Sequence, residues 1–337
     1  MKVGYINRAC AIGLLFCSLF FVSCGKKDES LEKVEGIKVN IGSVTKFESN
    51  TFSNYNLNDD KYIKIDNNDT IGLYDFKSDN YIFSRDSKYF SFYNGIEKEL
   101  TNLNKSDINM MLSPGGKYLS FFSQDDDGIY IPKVISTSTG EKVKFESKVG
   151  FSWRDMIWLD EKTLIYYGVS DDRINGIFTY NIENGEEKLF YKLDGGVQFM
   201  KIVNEDVVFL QETIENKKIL KEINISTNEV KEISRDIIEI NDIIKQDDDY
   251  YFLGKTKNSV YSLYKLENGK IKRLVYDFPI SINVEKGLGV DIEGNVLFIG
   301  LEKNNDDFRV YKYTKDGSVS RFSDPGKGYS FINNIYK

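Results

Sequence analysis

Histidine is missing from all 337 residues. A Ser-His-Asp or Cys-His catalytic pair is therefore impossible within this chain, and so is a histidine-ligated metal. Cysteine is nearly missing too: the three are Cys10, Cys17 and Cys24. Nothing after them carries a thiol, which excludes disulfides, Cys-ligated zinc and a cysteine nucleophile from the body of the chain. Base falls short of acid, with 45 Lys and Arg against 52 Asp and Glu, for a formal net charge of -7. A nucleic-acid binder needs the opposite balance, because phosphate neutralisation draws on a surplus of Lys and Arg. Proline is scarce at 4, whereas there are 22 Tyr and 23 Phe. Aromatic and β-branched residues favour strands, so the composition leans toward sheet.

The first segment reads as an address. Lys2 and Arg8 form a positive stretch, and the run from Ala9 to Val22 is apolar. At that length it is too short to span a bilayer comfortably and suits the core of a signal peptide. It ends in Phe21-Val22-Ser23-Cys24, followed by Gly25-Lys26-Lys27-Asp28. This sequence resembles the lipobox of bacterial lipoproteins, with Phe21 in place of the usual Leu. The resemblance implies cleavage before Cys24 and lipidation of its thiol, by diacylglycerol and palmitate-type chains, on the extracytoplasmic side of the cell membrane. Several acyl chains hold a protein firmly where one alone holds it weakly. The expected organisation is a lipoprotein signal peptide over residues 1–23, the lipidated cysteine with a flexible polar tether over 24–50, and a folded domain over 51–337.

That domain is a repeat. Val207-Val208-Phe209-Leu210 leads to Ile219-Leu220-Lys221-Glu222-Ile223, a turn at 226–229, and Val230-Lys231-Glu232-Ile233. The pattern returns with Tyr250-Tyr251-Phe252-Leu253, and again with Val296-Leu297-Phe298-Ile299. Alternating runs joined by Asn-Gly or Asp-Gly are hairpin chemistry, because those residues accept positive φ. The turn positions Gly140, Gly185, Asn228, Gly269 and Gly317 are separated by 45, 43, 41 and 48 residues. A period of about 44 residues with three or four strands per unit predicts an all-β, six- to seven-bladed propeller, seven being favoured. Residues 60–100 read as a compressed stretch of one or two thin blades, and Tyr329-Ser330-Phe331-Ile332 as a run that returns to the N-terminal region and closes the ring.

One repeat carries a family resemblance. Ser113-Pro114-Gly115-Gly116-Lys117-Tyr118-Leu119-Ser120-Phe121 is similar to the Ser-Pro-Asp-Gly-Lys motif of TolB-like and WD40-like propeller repeats. Ser84-Arg85-Asp86-Ser87-Lys88-Tyr89-Phe90-Ser91-Phe92 reads as a degenerate copy. The resemblance implies architecture and no activity.

Motifs for chemistry are lacking. Gly-x-Ser-x-Gly is absent, and Asp324-Pro325-Gly326-Lys327-Gly328 lacks the spacing of a phosphate loop. No cofactor is implied. Acidic clusters do recur, at Asp66 and Asp69, at Asp125, Asp126 and Asp127, at Asp171 and Asp172, and at Asp306 and Asp307. In the strand reading each lies between the second and third strand of its blade, and together they form one acidic rim. Turn chemistry alone explains Asp and Asn in such loops; a rim of like charge also attracts a cation or a basic partner. None has the alternating ligands of an EF-hand, so which metal they would hold, if any, stays open. Trp153, beside Arg154 and Asp155, is the candidate exposed aromatic contact, while Trp158 is expected to pack between blades.

The sequence thus predicts a membrane-anchored, noncatalytic propeller that binds a protein, peptide or glycan. The alternatives are a carboxylate-based glycosidase or lyase in the central pocket and an envelope assembly scaffold. The address makes its own prediction: Cys24→Ala will shift the protein to the soluble fraction or leave it uncleaved at the membrane. Membrane fractionation reads this directly, and processing and retention like the parent's would refute the anchor.

Overall fold

Seven sheets succeed one another along the chain, six of four strands and one of five. The computed structural model describes residues 33–48, 50–302 and 307–333. Helix in these residues is limited to the short 3-10 turns Pro114–Gly116 and Val284–Lys286. The sheets are the blades of a seven-bladed propeller, as the period predicts. In blades 2 to 6 the strands follow chain order from the inside outward. Their innermost strands are Thr70–Asp75, Ile108–Leu112, Val149–Trp158, Gly195–Val203 and Ile237–Gln246. Blade 7 splits its inner edge between Ser281–Ile282 and Leu288–Val290, both paired with Val296–Leu301.

Blade 1 is made from both ends of the chain. Lys327–Phe331 forms its innermost strand and pairs with Val44–Glu48, in the register Val44↔Phe331 and Thr45↔Ser330. Thr51–Asn58 and Lys61–Lys64 complete it. The returning C-terminal run therefore closes the ring where the sequence suggests. The N-terminal limit needs correction, because the folded body starts before residue 51. Val44–Glu48 is a paired strand. The preceding stretch lies against blade 2: Val34 N–H donates to Gly95 O at 2.8 Å, and Ile37 and Val39 N–H donate to the hydroxyls of Tyr81 and Tyr74 at 3.2 and 3.3 Å. Tyr81 stacks on Phe92 at 4.8 Å, and burial pushes its phenol up to about 12. The mixed charge of residues 24–50 disguises this segment, because its contacts combine backbone hydrogen bonds with the isolated apolar side chains Ile37 and Val39 rather than an apolar run.

Two further readings become specific. Residues 60–100 hold one complete blade, with strands Thr70–Asp75, Asn80–Arg85, Lys88–Tyr93 and Ile96–Glu99, plus the outer strand of blade 1. The two copies of the turn motif also differ in position. Ser113 to Phe121 joins the first and second strands of blade 3, whereas Ser84 to Phe92 spans the second and third strands of blade 2. In the first, Tyr118 N–H donates to Ser113 Oγ at 3.1 Å, and Gly116 (φ 72°) lies so close to Asn80 that a Cβ would sit 2.4 Å from it. In the second, Asp86 and Ser87 both have positive φ (50° and 66°), the mark of a two-residue hairpin turn.

The core sits at the seams. Seven clusters of buried apolar residues divide among the seven junctions between neighbouring blades. Val208, Phe209, Leu253, Leu297 and Phe298, each 0% exposed, belong to these seams. Phe298→Ala removes a ring stacked on Tyr311 at 5.5 Å and is expected to cost about 3–5 kcal/mol. Urea unfolding measures it; a loss below about 1 kcal/mol would mean that the seam closes over the gap.

Candidate functional site

Antiparallel order decides which loops share a side. When the first strand of every blade runs the same way, the loops between second and third strands emerge on the same face as the blade-to-blade connections. We call this the loop face. The turns between first and second and between third and fourth strands lie on the opposite face.

The acidic clusters are distributed accordingly. Asp125, Asp126 and Asp127 join Tyr118–Gln124 to Tyr130–Ser136, and Asp171 and Asp172 join Thr163–Ser170 to Asn175–Asn181. Asp307 directly precedes Phe308–Tyr313, and Asp306 lies outside the described residues. Asp66 and Asp69 are placed differently from the reading by sequence. They sit in the connection from blade 1 to blade 2, which opens on the same face.

These acids do not share one role. Asp69 is buried and grips Arg85 with both oxygens, at 2.7 and 2.8 Å, while its backbone carbonyl accepts from Asn54 Nδ2 at 2.6 Å. It joins two blades and presents no free charge. Asp125 Oδ1 accepts from the N–H groups of Asp127 and Ile129 at 3.0 and 2.7 Å, which shapes the turn. Asp66, Asp126, Asp127, Asp171 and Asp172 are exposed and form no ion pair among the described residues. Trp153 belongs to the strand Val149–Trp158, but its side chain lies outside what is described. Trp158 does pack between blades: its Nε1 donates to Met111 O at 3.0 Å and its ring stacks on Tyr118.

Sequence reasoning missed the apolar half of the loop face. Ile129 (62% exposed) follows the Asp125–Asp127 cluster, and Ile214 (80%) tips the equivalent loop of blade 5. Val260 and Tyr261 occupy that loop in blade 6, and Tyr276, Phe278 and Ile280 line the connection to blade 7. The available signal was an apolar residue set inside turn chemistry, as in Asp-Asp-Asp-Gly-Ile.

A second feature lies on the axis. A cavity of about 600 Å³ is enclosed mainly by the innermost strands. Its wall is largely apolar, and it includes Met110, Met111, Met156 and Met200, every methionine after Met1. Its polar groups come from irregular backbone. Asn109, Gln198 and Asn241 occupy β-bulges of three inner strands, where the register to the second strand shifts. Bulges re-aim side chains in this way. Lys201 is the one ionisable residue of the described lining, which includes no carboxylate. The two-carboxylate reading of the central pocket therefore lacks its acids among the described residues.

No family model and no curated protein matches the sequence. Solved structures match the fold. The uncharacterized protein lmo1340 from Listeria monocytogenes EGD-e superposes with a TM-score of 0.55 at 11% identity, over 87% of this chain and 94% of that one. Dipeptidyl peptidase 4 from Porphyromonas gingivalis gives 0.52 at 12% identity, over 90% of this chain and 56% of the peptidase. TolB from Acinetobacter baumannii gives 0.45 at 11% identity, over 78% of this chain and 66% of TolB. The chain thus spans about half the length of the peptidase and about two thirds of TolB. At such identities the likeness is one of fold.

Behind the cavity wall, Asp242 (0% exposed) ties three blades together. Its Oδ1 meets Lys201 Nζ of blade 5 at 2.6 Å, and its Oδ2 accepts from Leu288 N–H of blade 7 at 2.8 Å. Removing one member of such a pair strands the other's charge. Lys201 keeps a third of its side chain exposed, so water offsets part of that penalty. Asp242→Ala is expected to destabilise the fold by about 2–3 kcal/mol, at the low end for a buried pair. Chemical denaturation of single and double Lys201/Asp242 variants checks this, since a double-mutant cycle without coupling would dismiss the pair.

Proposed function

We propose that this propeller is a noncatalytic binding module, held by lipid on Cys24 at the extracytoplasmic side of the cell membrane, and that it docks a protein partner on its loop face. The observation that carries the reading is the combination on that face of unpaired carboxylates with exposed large apolar side chains. Asp126 and Asp127 adjoin Ile129, and Asp171 and Asp172 adjoin the partly exposed Val169. Apolar contacts supply affinity, and a ring of charge supplies steering and selection. A partner with basic residues around an apolar centre fits this pattern better than a glycan does. The missing histidine, and the absence of carboxylates from the described cavity wall, weigh against an enzyme.

The test begins with crosslinking of the tethered protein in intact cells and capture of what it holds. For the captured protein, association is expected to slow as salt rises, because screening acts over about 8–10 Å at physiological ionic strength. Asp126→Asn, Asp127→Asn, Asp171→Asn and Asp172→Asn combined should preserve folding and slow association about tenfold. Asp125 is left intact because it shapes its turn. A rate that ignores both salt and the four substitutions would reduce these residues to ordinary turn formers.

A further inference from the structure

A polar pocket of about 530 Å³ opens on the loop face of blade 6. Asp236 enters it from just before the first strand, Lys257 from the loop between the second and third, and Arg273 from the end of the fourth. Tyr264 and Ile271 also line it, and both pack in the seam with blade 5. The pocket shares no lining residue with the axial cavity. Its size lies within the range of ~300–1,000 Å³ usual for small-ligand sites. Every residue from 195 to 301 is described, so the charges that blades 5 and 6 bring to it are counted in full.

Arg273 sets the chemistry. Arg85, Arg235, Arg309 and Arg321 all pair with carboxylates. Arg273, half-buried, bonds only to uncharged oxygens. Its Nε donates to Val275 O at 2.6 Å and its Nη2 to Tyr276 O at 3.1 Å. These two nitrogens form one edge of the guanidinium, and the Tyr276 ring packs on the group at 5.1 Å. The other edge, Nη1 with the second proton of Nη2, has no partner among the described residues. The guanidinium is thus held in place with one fork unfilled, and such a planar fork matches a carboxylate through two parallel bonds. Lys257 Nζ lies 3.2 Å from Asp236, and both side chains are more than half exposed. A surface pair of this kind is weak, so the ammonium can turn to a ligand.

Two cations and one carboxylate leave the lining one positive charge. A single negative charge balances it. A dianion would add an excess negative charge beside Asp236, and a neutral group would leave the fork of Arg273 without its counter-charge. Asp236 is an acceptor for an N–H, and the half-buried Ile271 offers apolar surface. Exposed Val260, Tyr261 and Tyr276 flank the pocket, so a chain leaving it has apolar surface to cross. From this geometry we infer that the pocket binds the carboxylate end of a peptide chain. The terminal carboxylate takes the free edge of Arg273 beside Lys257, the last N–H donates to Asp236, and an apolar last side chain rests on Ile271.

Calorimetric titration of the full-length protein with N-acetyl-Ala-Leu tests this. Its C-terminal amide, free leucine and inorganic phosphate serve as the neutral, zwitterionic and dianionic counterparts. The free acid is expected to saturate one site, with the other three weaker by roughly tenfold or more. Arg273→Gln should weaken the acid about 10- to 100-fold, the span of a charge-assisted pair. Arg273→Lys keeps the charge without the fork and should recover only part of that loss. Arg273 also holds the carbonyls of Val275 and Tyr276, so thermal unfolding is followed for both variants. Lys257→Gln, at an exposed residue, leaves the fold untouched and should weaken the acid by a few-fold. The inference is overturned if the acid saturates no site, if any counterpart binds as well as the acid does, or if folded Arg273→Gln and Lys257→Gln leave its affinity unchanged. None of these probes involves the docked partner, so a failure here leaves the docking reading standing, and loss of that reading leaves the pocket.

Discussion

Everything in this fold depends on the burial of sheet faces between neighbouring blades. A four-stranded sheet whose second strand reads Val-Val-Phe-Leu is apolar on both faces and cannot cover either alone. Each blade therefore needs two neighbours, and an open row would leave its two end faces in water. The ring removes those ends. It is held shut by the pairing of Val44–Glu48 with Lys327–Phe331. Without disulfides, this join relies on backbone hydrogen bonds and on the apolar cluster around Val44, Tyr329 and Phe331.

Closure also creates the axial cavity. Seven twisted sheets packed at their faces bring their innermost strands side by side around a common axis whose centre they leave open. Those strands are also the irregular ones, with register shifts in blades 2 to 6. The irregularity turns Asn109, Gln198 and Asn241 out of the regular alternation and onto the cavity wall. The buried Asp242 then locks the inner strands of blades 5, 6 and 7 to one another. Wall rigidity and cavity polarity thus arise from the same few residues.

The two faces of the ring have different chemistry because the blade is a meander. Alternate loops go to opposite sides, so residues hundreds of positions apart gather on one face without touching in sequence. Asp66 and Asp307 share the loop face for this reason. Proximity alone does not give them a common purpose. Asp69, only three residues from Asp66, is consumed by Arg85 and serves the seam between blades 1 and 2.

Local chemistry was legible in the sequence. Strand alternation, the positive-φ turn residues at Gly140, Gly185, Asn228, Gly269 and Gly317, and their period determine blades and suggest their number, because each depends on neighbours within about forty residues. The lack of histidine and of late cysteine limits the chemistry regardless of fold. The innermost strands were harder to read, since bulges break the period of two that marks a strand. Tertiary structure alone decided which Asp is a seam residue and which is exposed. It alone brought Lys201, Asn241 and Leu288 to one wall, and it alone placed residues 34–39 against blade 2 and residues 40–43 against blades 1 and 7 rather than in solvent. Those outcomes depend on which blade lies next to which and on where the ring closes, and a repeat carries that information only once its last strand has met its first.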